Sequence, residues 1–357
     1  MSPHACHCVY CAAPRGGAFF GCAALRELGA ARRKNSHSHS HCQRGAAILM
    51  AMLTVTLVAS LAAAALWQQW RSIEVEAAQR ARVQSSWILV GALDWARLIL
   101  REDARSGGPD HLAEPWAVPL EEARLATFFA TDSNAAEQTD DVQQSFISGQ
   151  ITDMQSRLNV TNLIAEGKPS ENDVRQFAKL FDLLGLSDAE LERLVENMRF
   201  ALDTSVDNRS GSQAPLVAQR VEQLVWMGLS PQAVVAITPF VAILPKRTLI
   251  NLNTAPTEVI YASIDTMDLA GARQFVTARA VSQLRTVGDA RKLLGARGEE
   301  VTDGRFGVNS GFFEVRGRLR LDQTMVLERS LVQRDGLDVK TLWRERFAAQ
   351  VEAGKGG

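Results

Sequence analysis

A chain of 357 residues is long enough for two or three packed units, because single hydrophobic cores usually stop growing near about 250 to 300 residues. Its 46% apolar and 22% charged residues, with 25 glycines and 11 prolines, exclude a wholly disordered, collagenous or coiled-coil chain. Basic and acidic residues balance at 39 against 40, which excludes the global positive excess of a nucleic-acid binder, but they are unevenly distributed.

Residues 1–45 hold all five cysteines (Cys6, Cys8, Cys11, Cys22, Cys42) and five of the six histidines, with six basic residues against the single acid Glu27. Cys8 and Cys11 beside His7 have metal-ligand character, but no second correctly spaced pair accompanies them. Residues 46–67 then run 22 positions without a charge and would span about 33 Å as a helix, which predicts a transmembrane segment. The basic leader places the N-terminus in the cytoplasm and everything downstream across the membrane. A cleaved secretory signal is the competing reading, with small residues at 62–65, yet such apolar cores usually run only about 7 to 15 residues. Residues 68–105 contain no proline and repeat Ile73, Ala77, Ala81, Ile88, Ala92, Trp95 and Ile99 at helical spacing. The helix is therefore expected to continue as an amphipathic stalk up to the breaker Ser106-Gly107-Gly108-Pro109.

A loop and the first strands are expected over 106–165, with 145–153 forming a short strand pair in which Phe146 and Ile151 flank Gly149. Residues 166–298 read as all-helical, in two subdomains at about 166–213 and 214–298. Ser170 and Asp173 form a capping box ahead of the face Val174, Phe177, Leu180, Phe181 and Leu184, and Gly185 stops that helix. Ser187 and Glu190 repeat the signal before Leu191, Leu194, Val195 and Met198. A polar run over 203–213 reads as a mobile loop, and Val217, Val221, Leu224 and Val225 as a further helical face. Ser230-Pro231 and Thr254-Ala-Pro256 start later helices. In 299–357, C-terminal strands and a tail, the period changes to two. Phe313, Val315, Leu319 and Leu321 alternate with Arg316, Arg318 and Arg320, and Asp322-Gln323 turns the chain into a second strand over 324–333. The arginine stripe suits either an acidic partner or plain solvent.

Catalytic signatures are missing: no G-x-x-x-x-G-K-[ST], H-E-x-x-H or G-x-S-x-G occurs, and His111 is the sole histidine after the leader. Asp132, Glu137, Asp140 and Asp141 gather hard oxygen ligands of the kind calcium takes, without a recognisable ligand register; a solvated acidic loop is the simpler reading.

Arg44-Gly45 immediately before an uncharged run that continues as an amphipathic stalk resembles type IV pilins and type II secretion pseudopilins. That resemblance implies cleavage between Gly45 and Ala46 by prepilin peptidase, N-methylation of Ala46, and Met50 as the fifth mature residue. Most members carry Glu there, whose carboxylate is thought to meet the neighbouring subunit's ammonium in an apolar filament core, where an unpaired charge is costly. Met50 offers no carboxylate, which resembles the K-type minor pseudopilin, although a lipid-facing methionine suits any membrane helix. Asp94 to Leu100, Trp116 to Leu120, Gly149 to Leu163 and Leu249 to Ile260 resemble the same family; its leaders are usually shorter than 45 residues. The last stretch also resembles the opening of a helix-hairpin-helix module, without the hairpin glycines and with Asp265 and Asp268 where a phosphate would sit.

The resemblance implies an α+β, type IV pilin-like fold: a long N-terminal helix packed on an antiparallel sheet, with an all-α insertion of SAM-like, helix-hairpin-helix-like subdomains. It implies a non-enzymatic minor pseudopilin that initiates and caps the secretion pseudopilus from the inner membrane. The implied partners are the I- and J-type minor pseudopilins, the major pseudopilin and prepilin peptidase, with no nucleic acid and no required cofactor beyond a candidate calcium. A minor pilin of a type IV pilus and a membrane-tethered DNA-uptake factor remain as alternatives.

Overall fold

The computed structural model describes residues 43–125, 145–203, 215–321 and 324–350. It divides into two compact units, one ending at Ser72 and the other starting at Ile73. Helix α1 (Gln43–Ser106) runs 64 residues, uninterrupted because its sequence holds no proline and only isolated glycines. Gly107 (φ 68°) and Gly108 (φ 119°) end it in backbone conformations that residues with a Cβ rarely adopt.

In the first unit the side chains from Ala46 onward are exposed, among them Ile48, Leu49, Met50, Leu53 and Val58. This portion is long and apolar enough to cross a membrane.

The second unit is built on a five-stranded antiparallel sheet: β1 (Leu120–Arg124), β2 (Ser145–Asp153), β3 (Phe312–Leu321), β4 (Thr324–Asp335) and β5 (Asp338–Gln350). The strands lie side by side in chain order, although the chain leaves the sheet after Asp153 and returns only at Phe312. Leu321 pairs with Thr324 at the β3–β4 hairpin; the intervening Asp322-Gln323 lie outside the described residues, as do residues 204–213 of the expected polar loop.

The expected strand pair at 145–153 is instead one nine-residue strand. Gly149 sits in its middle, opposite Gly317, and marks close approach rather than a turn: a Cβ there would lie 3.1 Å from the Arg316 carbonyl oxygen. Past Arg334, the expected tail is strand β5, joined to β4 by a turn with Gly336 at φ 57°. Its charged alternation and a bulge at Leu342 hid the period-two signal.

The stripe of α1 that meets the sheet also differs from the expected one. Ser85, Leu89, Leu93, Ala96 and Leu100 are buried, whereas Trp95 is 50% and Ile73 58% exposed. Ile88, Ala92 and Ile99 flank the buried row. Apolar residues cover more than one side of this stalk, and the sheet takes the row of leucines and alanine, which lies flat. Leu89 fits over Gly317, where a Cβ would come within 3.2 Å of its Cδ2. Leu93, Ala96 and Leu100 pack on Ile151, Phe313, Val315, Val332 and Val339, with Trp116 edge-on to Phe313 at 5.2 Å. Each fully buried leucine contributes roughly 2 kcal/mol.

The insertion between β2 and β3 carries α2 (Glu171–Leu184), α3 (Asp188–Leu202), α4 (Pro231–Ile237), α5 (Thr257–Ser263), α6 (Leu269–Val281) and α7 (Val287–Leu294). The end of α2 is a Schellman arrangement at Gly185 (φ 66°), with Leu186 N–H donating to Phe181 O and Gly185 N–H to Asp182 O. Ser230 caps α4 by accepting from Ala233 N–H. One core runs through the insertion, drawing Phe177, Leu180, Phe181, Leu194 and Met198 together with Leu224, Ile237, Val259, Ile260 and Phe275.

The insertion is not all-helical. Leu158–Asn159 pairs in parallel with Val241–Ala242, and Ile250–Asn251 with Phe306–Gly307. In the expected helical face at 217–225, Val217 is exposed on irregular backbone and the rest enters a 3-10 segment, Val221–Met227, whose three-residue repeat buries Leu224 and Met227 and leaves Val225 exposed.

Candidate functional site

Gly45 and Ala46 lie in the first turn of α1, and Met50 one turn further is 68% exposed. That first turn contains no acidic residue. Asp132, Glu137, Asp140 and Asp141 lie outside the described residues.

In the second unit, the side of α1 turned from the sheet carries another apolar row. Trp87 is 71%, Trp95 50% and Leu98 41% exposed, and Gly91 between the tryptophans has nothing within 4 Å of a would-be Cβ. The spacing of four, four and three residues places all four on one helical face.

The arginine stripe of β3 is largely engaged within the chain. Arg316 pairs with Glu314 at 2.5 Å and Arg320 with Glu122 at 2.5 Å, the latter also lying 4.1 Å over the Phe146 ring. In β4, Arg329 donates to Glu222 at 2.8 Å and Glu345 at 3.3 Å.

The hairpin after α5 likewise has its own occupant. Glu300 accepts from the backbone N–H of Asp265 at 2.6 Å and of Thr266 at 3.2 Å, so a carboxylate of this chain takes the amides that would face a phosphate. Lys179 Nζ donates to the Ile264, Asp265 and Met267 carbonyls and fixes the loop from below.

Sequence reasoning missed the joint where the insertion leaves and re-enters the sheet. Asp153, the last residue of β2, is buried, and its Oδ2 accepts from Thr254 Oγ1 at 2.5 Å, Ser310 Oγ at 2.6 Å and Asn251 Nδ2 at 3.0 Å. Its Oδ1 accepts from Gln155 N–H at 2.7 Å. Asn251 also donates to the Asp110 carbonyl, and Ser310 N–H donates to Asp110 Oδ2 at 2.6 Å. Arg334 completes the joint, reaching Asp103 at the end of α1 and Asp110 in the following loop at 2.6 and 2.5 Å. Asp103, Asp110 and Glu114 converge as a metal site's acids would, but the Arg334 guanidinium answers Asp103 and Asp110, and Glu114 accepts from Trp116 Nε1. Burial raises the Asp153 and Asp110 carboxyls above their ordinary values, in Asp110 against the opposing pull of Arg334.

Further polar pins hold the insertion. Asn159 donates to the Lys246 carbonyl and accepts from Leu244 N–H, Asn253 both donates to and accepts from the Leu284 backbone, and the buried Arg279 caps the Leu252 and Ala255 carbonyls. Desolvation lowers the Arg279 guanidinium to about 10. The stretches 149–163 and 249–260 singled out in the sequence therefore meet in space as structural fasteners. The signal that could have found them is a polar residue set in an apolar run, as Asn251 and Asn253 are between Ile250, Leu252 and Ala255.

Two models of "Type II secretion system (T2SS), protein K" match consecutive stretches of the chain, residues 156–246 and 250–309. Over these two stretches, which make up less than half of its length, the chain is similar to the type II secretion protein K family. The two stretches run from the residue after Gln155 to the residue before Ser310, so together they bracket the insertion and end on both sides at the joint. Type II secretion system protein K of Pseudomonas aeruginosa is 27% identical over 312 residues, covering 81% of this chain and 88% of that protein. A chain in the crystal structure of the GspK-GspI-GspJ complex from enterotoxigenic Escherichia coli has a similar fold, with a TM-score of 0.53 and 18% identity over 76% of this chain and 98% of that one. These likenesses support a minor pseudopilin of type II secretion, with one N-terminal helix as its membrane anchor.

Proposed function

We propose that this chain stands at the tip of the secretion pseudopilus, helping to initiate and cap it. The observation that carries this reading is the uncharged run that opens at Ala46, where Met50 and its neighbours supply no carboxylate. A subunit lacking that carboxylate has nothing with which to neutralise the ammonium of a subunit above it, and in an apolar filament core an unpaired charge costs several kcal/mol. The terminal position is the one that needs no such pairing.

The rest of the reading follows from this placement. Prepilin peptidase cleaves between Gly45 and Ala46 on the cytoplasmic side, Ala46 is N-methylated, and the second unit is periplasmic. The second unit is a pilin-like domain, α1 on an antiparallel sheet, with the bulky insertion blocking addition above it. The I- and J-type minor pseudopilins are the partners, as in the GspK-GspI-GspJ complex of enterotoxigenic Escherichia coli. They dock on the outer face of α1 at Trp87, Gly91, Trp95 and Leu98, a row too apolar to stay in water.

Cysteine cross-linking tests the docking. All native cysteines lie in residues 1–45 and leave with the leader, so one engineered cysteine is unique in the processed chain. Gly91→Cys should cross-link to a partner minor pseudopilin carrying a stalk cysteine, whereas Ala96→Cys, facing the sheet, should not. Equal cross-linking from both positions, or from neither, contradicts the assignment.

A further inference from the structure

A polar cavity of about 330 Å³ opens in the insertion beside the first two turns of α2. Ser170, Asp173 and Gln176 from α2 and its cap form one wall; Arg247, Thr248 and Arg305 stand across from them. Most of these groups are already engaged. Asp173 accepts from Arg247 at 2.9 Å and from Ser170 Oγ at 2.5 Å, Arg247 also donates to the Asn162 carbonyl, and Thr248 N–H donates to Asn162 Oδ1.

Two groups are not. Gln176 lies on the apolar face of α2, is 3% exposed, and its amide has no hydrogen-bond partner among the described residues. Arg305 gives one Nη2 bond to the Ser263 carbonyl and lies 5.5 Å over the Phe306 ring, but its Nε–H is buried and unpaired, and no carboxylate among the described residues pairs with it. Leaving a buried donor unpaired costs about 1 to 3 kcal/mol, and more for a charged one. Native interiors rarely leave such a donor beside a polar cavity without a use for it. Asp173 is matched by Arg247, so Arg305 gives the wall one net positive charge.

We propose that this cavity binds a carboxylate, received by the Arg305 guanidinium and the Gln176 amide. A carboxylate oxygen accepts from both donors at once and supplies the missing countercharge, and a guanidinium edge matches its planar geometry. A cavity of this size holds a small dicarboxylate or one acidic side chain of a partner's peptide segment.

The test is calorimetric titration of the full-length processed protein in detergent at matched ionic strength, with succinate and with the peptide acetyl-Ala-Glu-Ala-amide as probes. Saturable binding of either is expected. Succinate alone assigns a free dicarboxylate, the peptide alone a partner's acidic side chain, and both the shared carboxylate chemistry. Gln176→Leu and Arg305→Lys should each weaken binding at least tenfold, because Lys keeps the charge but lacks the planar edge, while Arg318→Gln on the distant sheet leaves it unchanged. Gln176→Leu, an apolar replacement on an apolar face, keeps the test open if Arg305 variants fail to fold. Absence of saturation with both probes, or binding indifferent to Gln176→Leu, overturns the proposal.

Discussion

Replacing Asp153 with alanine should uncouple the insertion from the sheet. Four donors converge on this carboxylate, from Gln155, Asn251, Thr254 and Ser310. The Thr254 and Ser310 hydroxyls can rotate toward other acceptors, and Asn251 keeps the Asp110 carbonyl, so the uncompensated losses are the Gln155 N–H and part of the Asn251 amide. Bonds to a charged acceptor contribute about 1.5 to 3 kcal/mol each, and removing the buried charge returns some of its desolvation cost. The expected loss is about 3 kcal/mol, which for a unit of this size lowers the melting temperature by roughly 6 to 12 °C. Asp153→Asn keeps an oxygen for Gln155 N–H and should lose about half as much. Urea unfolding, followed by the fluorescence of Trp116 beside Phe313, reads both variants. A loss below about 1 kcal/mol for Asp153→Ala, or equal losses for Ala and Asn, would refute the view that this carboxylate ties the two parts together.

Mild acid should tighten this joint. Burial raises the Asp153 and Asp110 carboxyls, so the folded chain takes up protons more readily than the unfolded one. Their contribution to stability is complete below the ordinary carboxylate range and is lost as pH rises through the raised values. Between that range and neutrality, wild type should gain stability on acidification relative to Asp153→Asn; parallel melting profiles would contradict it. Gly317→Val places branched carbon where Leu89 Cδ2 already lies 3.2 Å from a Cβ position, so overpacking should cost about 1 to 3 kcal/mol in urea unfolding. Trp87→Asp, on the outer face of α1, should change the stability of the isolated protein by no more than about 0.5 kcal/mol yet abolish secretion in a complemented deletion strain.

Local signals were the legible ones. The uncharged run after Gly45, the Gly107-Gly108 stop, the cap at Ser230 and the left-handed Gly185 each act within a turn or two of chain, and the elements formed where those signals stood; the helix after Ser170 also starts there, although the Ser170 hydroxyl donates to Asp173 rather than closing the expected capping box. The sheet-facing row of α1 was displaced because several sides of that helix are apolar, and only the shape of the sheet at Gly317 selects among them. Strand β5 escaped notice because its charged residues pair across strands, as Arg346 does with Glu328, instead of marking a solvent face. The joint depends on partners about a hundred or more residues apart, such as Asp153 with Asn251 and Ser310, which no periodicity encodes. Gln176 was visible as a polar residue in the row Asp173, Phe177, Leu180, and its lack of a partner among the described residues is a fact of tertiary structure alone.

The placement at the tip requires that α1 begin, in the working protein, with an alanine whose first turn carries no acid. Mass spectrometry of the N-terminal peptide from the native protein extracted from membranes tests this most directly. The account predicts a chain starting at N-methylated Ala46. An intact 45-residue leader, or a start near Leu66 as a signal peptidase would leave, would contradict it.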